Sequence, residues 1–251
     1  MRQLDDSTLW QVSEFERMFA QTGNSGFARL NASTTLSAPL NAELTRLERG
    51  HRETQVLDVV AACLRQGESA LLLLRLKGLV WPLTLFPKAG LYHLSRPIVD
   101  ALKSGNADLE VIGVEPAGIR PPGPLDPMPI DGSSHFRVLP PLLWALALHA
   151  PQVRLLDDIG GRAAYRIAAG FDAGDVAHSG ALASALRRLR LEVASLQDIA
   201  GWPGMDTDRA ARLLDAIYLQ GGLMVLRTHA AARGDAGPFG AFGRLIGRRR
   251  P

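Results

Sequence analysis

Apolar residues recur at helical spacing near the start of the chain. In STLWQVSEFERMFA, Leu9, Val12, Phe15 and Phe19 share one side while Glu16 faces outward, which predicts a helix capped by Ser7 or Thr8. TQVLDVVAACLRQG repeats the pattern and stops at Gly67, predicting a second helix. The spacing then changes. SALLLLRLKGLVWPLTLFPKAGLYHLS holds two β-rich runs separated by Lys77-Gly78 and a third after Lys88-Ala89-Gly90, the pattern of a meander. Pro82 cannot donate to a ladder, so its run is expected to be an edge strand or to carry a bulge. RPIVDALKSG reads as a short helix beginning near Pro97, and DLEVIGVEP as a further strand. Residues 1–115 are thus expected to form a domain of helices and antiparallel sheet.

Between Glu115 and His135, six of the 16 prolines fall within 14 residues. Each fixes its own torsion and restricts its predecessor, so residues 116–135 are expected to be an extended linker, with RPPGP as the core of a proline-rich recognition peptide in the sharper reading. Residues 136–232 then form a second, mainly helical domain. LPPLLWALALHAP is an apolar helix opened by prolines, QVRLLDDIGG a shorter helix stopped by paired glycines, and AAYRIAAGF a strand. The fold class expected for the whole chain is α+β.

From Gly180 onward the signals reinforce one another. GALASALRRLRLEVA aligns Leu182, Leu186, Leu189 and Val193, with Arg187, Arg188 and Arg190 turned to water. Ser195, followed three residues later by Asp198, makes a near capping box for a second helix, LQDIA, which ends at Gly201-Trp202-Pro203-Gly204. Asp206 caps a third helix reaching about Gln220, whose buried stripe is Ala210, Leu213, Leu214, Ile217 and Tyr218, and LMVLRT follows as a strand. Residues 180–228 in this order resemble the winged-helix superfamily, a pattern shared by many families: an LxxIA second helix, a glycine-containing turn, a third helix, and GGLMV leading into the wing. The resemblance implies that the third helix would enter a major groove.

The residues themselves argue for another use. A recognition helix meets DNA through its N-terminal turns, and here those turns hold Asp206 and Asp208, which repel phosphates. Across residues 180–228 six arginines face five acids, leaving the module near neutral. Arg209 and Arg212 remain available to a backbone, so a DNA-binding transcriptional regulator is the rival reading, and a protein-binding adaptor or regulator is the expected one. Trp202 either presents its ring to a partner or packs back on the first helix of the module near Leu189.

Charge adds a location to this picture. The chain is 251 residues long with a formal charge of +3, of which +4 lies in residues 233–251 and −1 in the rest. Phe239, Phe242, Leu245 and Ile246 join Arg244, Arg248, Arg249 and Arg250 there, a basic apolar segment suited to a partner's groove or an anionic membrane surface; Gly237, Gly240, Gly243 and Gly247 argue for a mobile tail that docks on binding. Cys63 is the one cysteine, so no internal disulfide forms and a reducing compartment is favoured. With no signal-peptide pattern and no long apolar run, the expected location is the cytoplasm, and the scarcity of lysine beside abundant alanine suggests a GC-rich bacterial genome.

Catalytic signatures are sparse. The sequence has no GxxxxGK[ST], GxGxxG, HExxH or GxSxG motif, and the six histidines are never closer than 14 residues, so no enzyme, cofactor or metal is expected. Ser133, Ser134 and His135 are adjacent in a loop, which rarely gives catalytic geometry. Arg162 and Arg166 have the RxxxR spacing that resembles the start of the PilZ cyclic-dinucleotide signature, but DVAHSG does not supply the [DN]xSxxG that family also needs. A cyclic-dinucleotide-binding protein is therefore the third reading.

Overall fold

In the computed structural model, the apolar run ALLLLRL is strand β2 (Ala70–Leu76), described together with residues 9–22, 25, 35–50, 55–103, 109–123, 135–149, 151, 154–174 and 180–233. Alternate side chains of a strand point to opposite faces, so an unbroken apolar run means that both faces are covered. Leu71 and Leu73 form one face, with Val80 and with Phe15 of helix α1 (Val12–Thr22); Leu72, Leu74 and Leu76 are buried on the other. The helix expected from Leu9 begins later, because Trp10–Gln11 is a short strand, β1, paired with β3 (Leu79–Phe86). Its expected cap residues, Ser7 and Thr8, lie outside the described residues.

β2 and β3 are joined by a two-residue turn in which Lys77 and Gly78 have φ of 52° and 74°. Positive φ at both positions is the type I′ geometry whose twist matches the flanking strands. β3 is an inner strand, which corrects the expectation of an edge. Pro82 is accommodated because β1 pairs with Leu79 and Val80, and β4 (Leu91–His93) with Thr84 to Phe86, so that side of the strand is unpaired at Pro82. The irregular pairing lies in β5 (Glu110–Pro116) instead, where Ile112 is the extra residue opposite the Leu73–Leu74 step. The antiparallel sheet runs β5-β2-β3-β4-β6, with β6 spanning Phe136–Val138.

Helix α2 (Ala38–Gly50) packs with helix α3 (Val56–Gln66), and the Arg65 guanidinium and Gln66 amide both donate to Glu43. Burial opposes ionisation of the Glu43 carboxyl, but these donors and the nearby charges of Arg65 and Arg46 outweigh it, so its pKa lies below the usual carboxylate value. α3 ends as its sequence dictates: Gly67 takes φ 59°, its N–H bonds Leu64 O, and the Glu68 N–H bonds Cys63 O. Short helix α4 (Ile98–Lys103) packs with α5 (Leu139–His149), which is buried on almost every side.

The chain divides into two units, Met1–Gln152 and Val153–Pro251. This corrects the boundary expected in the proline-rich stretch. β6 follows that stretch yet pairs with β4, and α5 packs on α4, so residues 136–149 belong to the first unit. Residues 117–123 carry no helix or strand, and 124–134 lie outside the described residues.

In the second unit, β7 (Ala164–Ile167) is the middle strand of a three-stranded antiparallel sheet, between β8 (Ala194–Ser195) and β9 (Leu223–Leu226). Around it stand α6 (Gly180–Leu191), α7 (Leu196–Ala200) and α8 (Thr207–Leu219). Of QVRLLDDIGG, the described residues 154–161 are not helical, contrary to expectation; residues 157–159 form a turn, with Leu156 and Ile159 buried. Side chains from outside the turn satisfy its carbonyls. Arg227 donates to Asp158 O and Gly160 O, each at 2.9 Å, and the Tyr165 hydroxyl donates to Ile159 O at 2.7 Å. The fold class is α+β, as expected.

Candidate functional site

Three helices meet in the second unit as the sequence implies. The Ser195 hydroxyl accepts from the Asp198 N–H at 3.2 Å while Asp198 accepts from the Ser195 N–H at 2.9 Å, a reciprocal cap that starts α7. The turn to α8 closes with the Met205 N–H on Trp202 O at 3.0 Å. Gly204, at φ 76°, approaches α6 so closely that an added Cβ would lie 2.8 Å from the Cβ of Ala181. These contacts fix where the first turn of α8 stands.

Trp202 is 8% exposed, and the Arg188 guanidinium lies 4.2 Å from the centre of its ring. Arg188 also donates to Glu192 at 2.7 Å, which holds the cation in place. The ring therefore packs against α6, and its face is covered by a residue of that helix. Of the two placements expected for Trp202, the ring takes the one packed back on the first helix of the module rather than the one presented to a partner.

Asp206 caps α8, accepting from the Arg209 N–H at 2.7 Å. The Arg209 guanidinium returns to Gly204 O at 2.7 Å and pairs with Asp206 at 3.7 Å. The helix N-terminus thus carries its own anion, and that anion its own cation. Thr207, Asp208 and Arg209 are exposed and Arg212 is half-buried. Beyond them Ala210, Ala211, Leu213, Leu214, Asp215, Ala216, Ile217 and Leu219 are all buried, so α8 meets solvent over little more than one turn.

The strand pairing departs from the expected wing. β9 pairs with β7, which precedes all three helices, and among the described residues no strand follows β9 to form a hairpin with it. Arg162 lies outside β7, in the bend after Gly161, while Arg166 on the strand donates to Arg190 O, so the two do not share a strand face. The tail residues Phe239, Phe242, Arg248, Arg249 and Arg250 lie outside the described residues.

Sequence reading passed over two exposed apolar side chains. Leu191 is 83% exposed at the end of α6, and Met224 is 45% exposed on β9. A signal for the first exists: at about 100° per residue, Leu191 points half a turn away from Leu182, Leu186 and Leu189. The sheet of the first unit also joins two histidines far apart in sequence, because β4 and β6 place His93 opposite Phe136; the His93 and His135 rings lie edge to face at 5.7 Å. Among the described residues no three His, Cys, Asp or Glu side chains are placed to hold a metal ion, and no helix is long and apolar enough to cross a membrane.

Cys63 is fully buried in α3. Burial, with the charges of Glu68 and Glu43 adding to it, pushes its thiol pKa up to about 12. Since the thiolate is the reactive species, native protein at pH 8 should leave a disulfide reagent unreacted over a time in which urea-unfolded protein consumes one equivalent. The folded thiol stays protonated while the unfolded one ionises above about pH 8.5, so its contribution to stability is complete below that pH and declines above it. Rapid native labelling would contradict this assignment.

No protein-family model, curated protein or solved structure matches the chain.

Proposed function

We propose that this protein is a non-enzymatic adaptor or regulatory protein of the cytoplasm that binds another protein through its second unit. The observation that carries this reading is the state of α8. The helix that the winged-helix resemblance would send into a groove is mostly buried beyond its first turn, Arg212 and Tyr218 being half-buried, and that turn presents Asp206 and Asp208 beside an arginine already bonded within the chain. Recognition of a duplex rests on cations reaching phosphates and side chains reaching base edges. Arg209 and Arg227 instead donate to backbone carbonyls of the unit, Arg227 to two of them. Exposed Leu191 and Met224 are suited to a polypeptide surface.

The test places the protein between the two kinds of partner. A photo-crosslinking residue at position 208 or 191, introduced in the host cell, should capture a discrete polypeptide. Mobility-shift titration of random duplex DNA at about 150 mM salt should give no more than the weak midpoint of non-specific binding, roughly micromolar or above. Nanomolar duplex binding, lost in Arg209→Glu with Arg212→Glu, would establish a gene regulator in place of the adaptor.

A further inference from the structure

The exposed apolar side chains of the second unit sit among arginines, and the chain holds them together through specific contacts. Arg166 and Met224 are directly opposite each other on β7 and β9, so their side chains leave the sheet on the same side. The Arg166 guanidinium reaches Arg190 O at 3.4 Å, the carbonyl bonded to the nitrogen of Leu191. Arg190 in turn donates to Phe171 O at 3.0 Å, and Arg187, one turn earlier on α6, donates to Ser184 Oγ at 3.3 Å. These contacts bring Met224 and Arg166 to the end of α6, where Arg187, Arg190 and exposed Leu191 stand, and together these residues make the patch.

Its charge is one-sided. Among the described residues, the carboxylates adjacent to it in sequence are Glu192, engaged by Arg188, and Asp172, which accepts from the Gly174 N–H. A guanidinium has five donors, and the contacts above use one from each of the three arginines. Donors already held in place lose less freedom when a partner arrives. Two exposed apolar side chains between such donors favour a ligand that brings carboxylates and aliphatic groups in one segment.

We infer that this patch is the docking surface for an acidic, aliphatic-rich segment of a partner protein. The inference rests on the adaptor reading above and names the surface and the chemistry it accepts. A duplex would match the arginines but leave Leu191 and Met224 in water, so the apolar pair selects the polypeptide.

The probe is a synthetic 16-residue peptide of Leu, Glu and Ala with leucines at helical spacing, labelled with a fluorophore and titrated by anisotropy with the full chain. The peptide should bind, more weakly as salt rises. Its analogues with Lys for Glu or Ser for Leu should bind at least about tenfold more weakly. Leu191→Asp and Met224→Asp change exposed positions, and each should weaken binding about tenfold or more while leaving the circular dichroism spectrum of the chain unchanged. Binding that is indifferent to peptide charge, or that survives both substitutions, overturns the proposal. So does a patch occupied more tightly by duplex DNA or by vesicles of anionic phospholipid. If the peptide fails and position 191 captures nothing while crosslinking from position 208 still captures a polypeptide, this surface is wrong and the adaptor reading stands; nanomolar duplex binding removes both.

Discussion

Replacing Gly222 with alanine is expected to destabilise the second unit by about 3 kcal/mol, the upper end of what overpacking usually costs. An added Cβ would stand 2.2 Å from Cδ2 of Phe171 and 2.4 Å from its Cγ, so the ring has to leave. Little around it yields, because the backbone at Gly222 is fixed on both sides. Its N–H bonds Ile217 O at 2.9 Å, and its carbonyl accepts from the Ala168 N–H at 2.8 Å. The cost arises from the ring, so Phe171→Ala combined with Gly222→Ala should be less damaging than the sum of the single changes. Urea denaturation of the full chain followed by circular dichroism measures both. Equal and additive losses would show that the close approach is not the cause.

Asp215→Ala should cost about 2 to 3 kcal/mol, lowering the midpoint of thermal unfolding of this unit by roughly 10 °C or more. Asp215 is 2% exposed within α8, and its carboxylate accepts from the Leu156 N–H at 3.0 Å, across 59 residues of sequence. Removing it strands a buried donor at the start of the turn that Arg227 and Tyr165 also hold. Asp215→Asn keeps an acceptor oxygen for that N–H and should lose less. If asparagine proves as harmful as alanine, the carboxylate matters for a reason other than this bond. Calorimetry of the two variants decides.

These two positions mark where sequence reasoning stopped. Gly67 as a helix stop, Ser195 with Asp198 as a cap, and Asp206 at the head of α8 were legible because capping depends on residues three or four apart. Lys77-Gly78 was legible for the same reason. QVRLLDDIGG has the composition of a helix, and it is a turn because Tyr165, Asp215 and Arg227 satisfy its backbone from up to about seventy residues away. β1 and β6, of two and three residues, are too short to show a period. The carboxylates at the head of α8 could be read as candidates, but the burial of most of α8 beyond its first turn comes from packing with α7, β9 and the turn at Leu156, and the meeting of Arg166 with the end of α6 comes from strand register.

The middle strand of the second unit carries a practical consequence. β7 lies sixteen residues before the helices begin, counting from Ala164 to Gly180, yet it stands between β8 and β9. A fragment trimmed to the three helices would discard the strand that joins its two sheet edges and expose both to aggregation. The helical trio is therefore not a cassette that can be excised and grafted elsewhere: its smallest autonomous piece must begin ahead of Leu156, and its assembly must wait until both ends of a sixty-residue span have been synthesised.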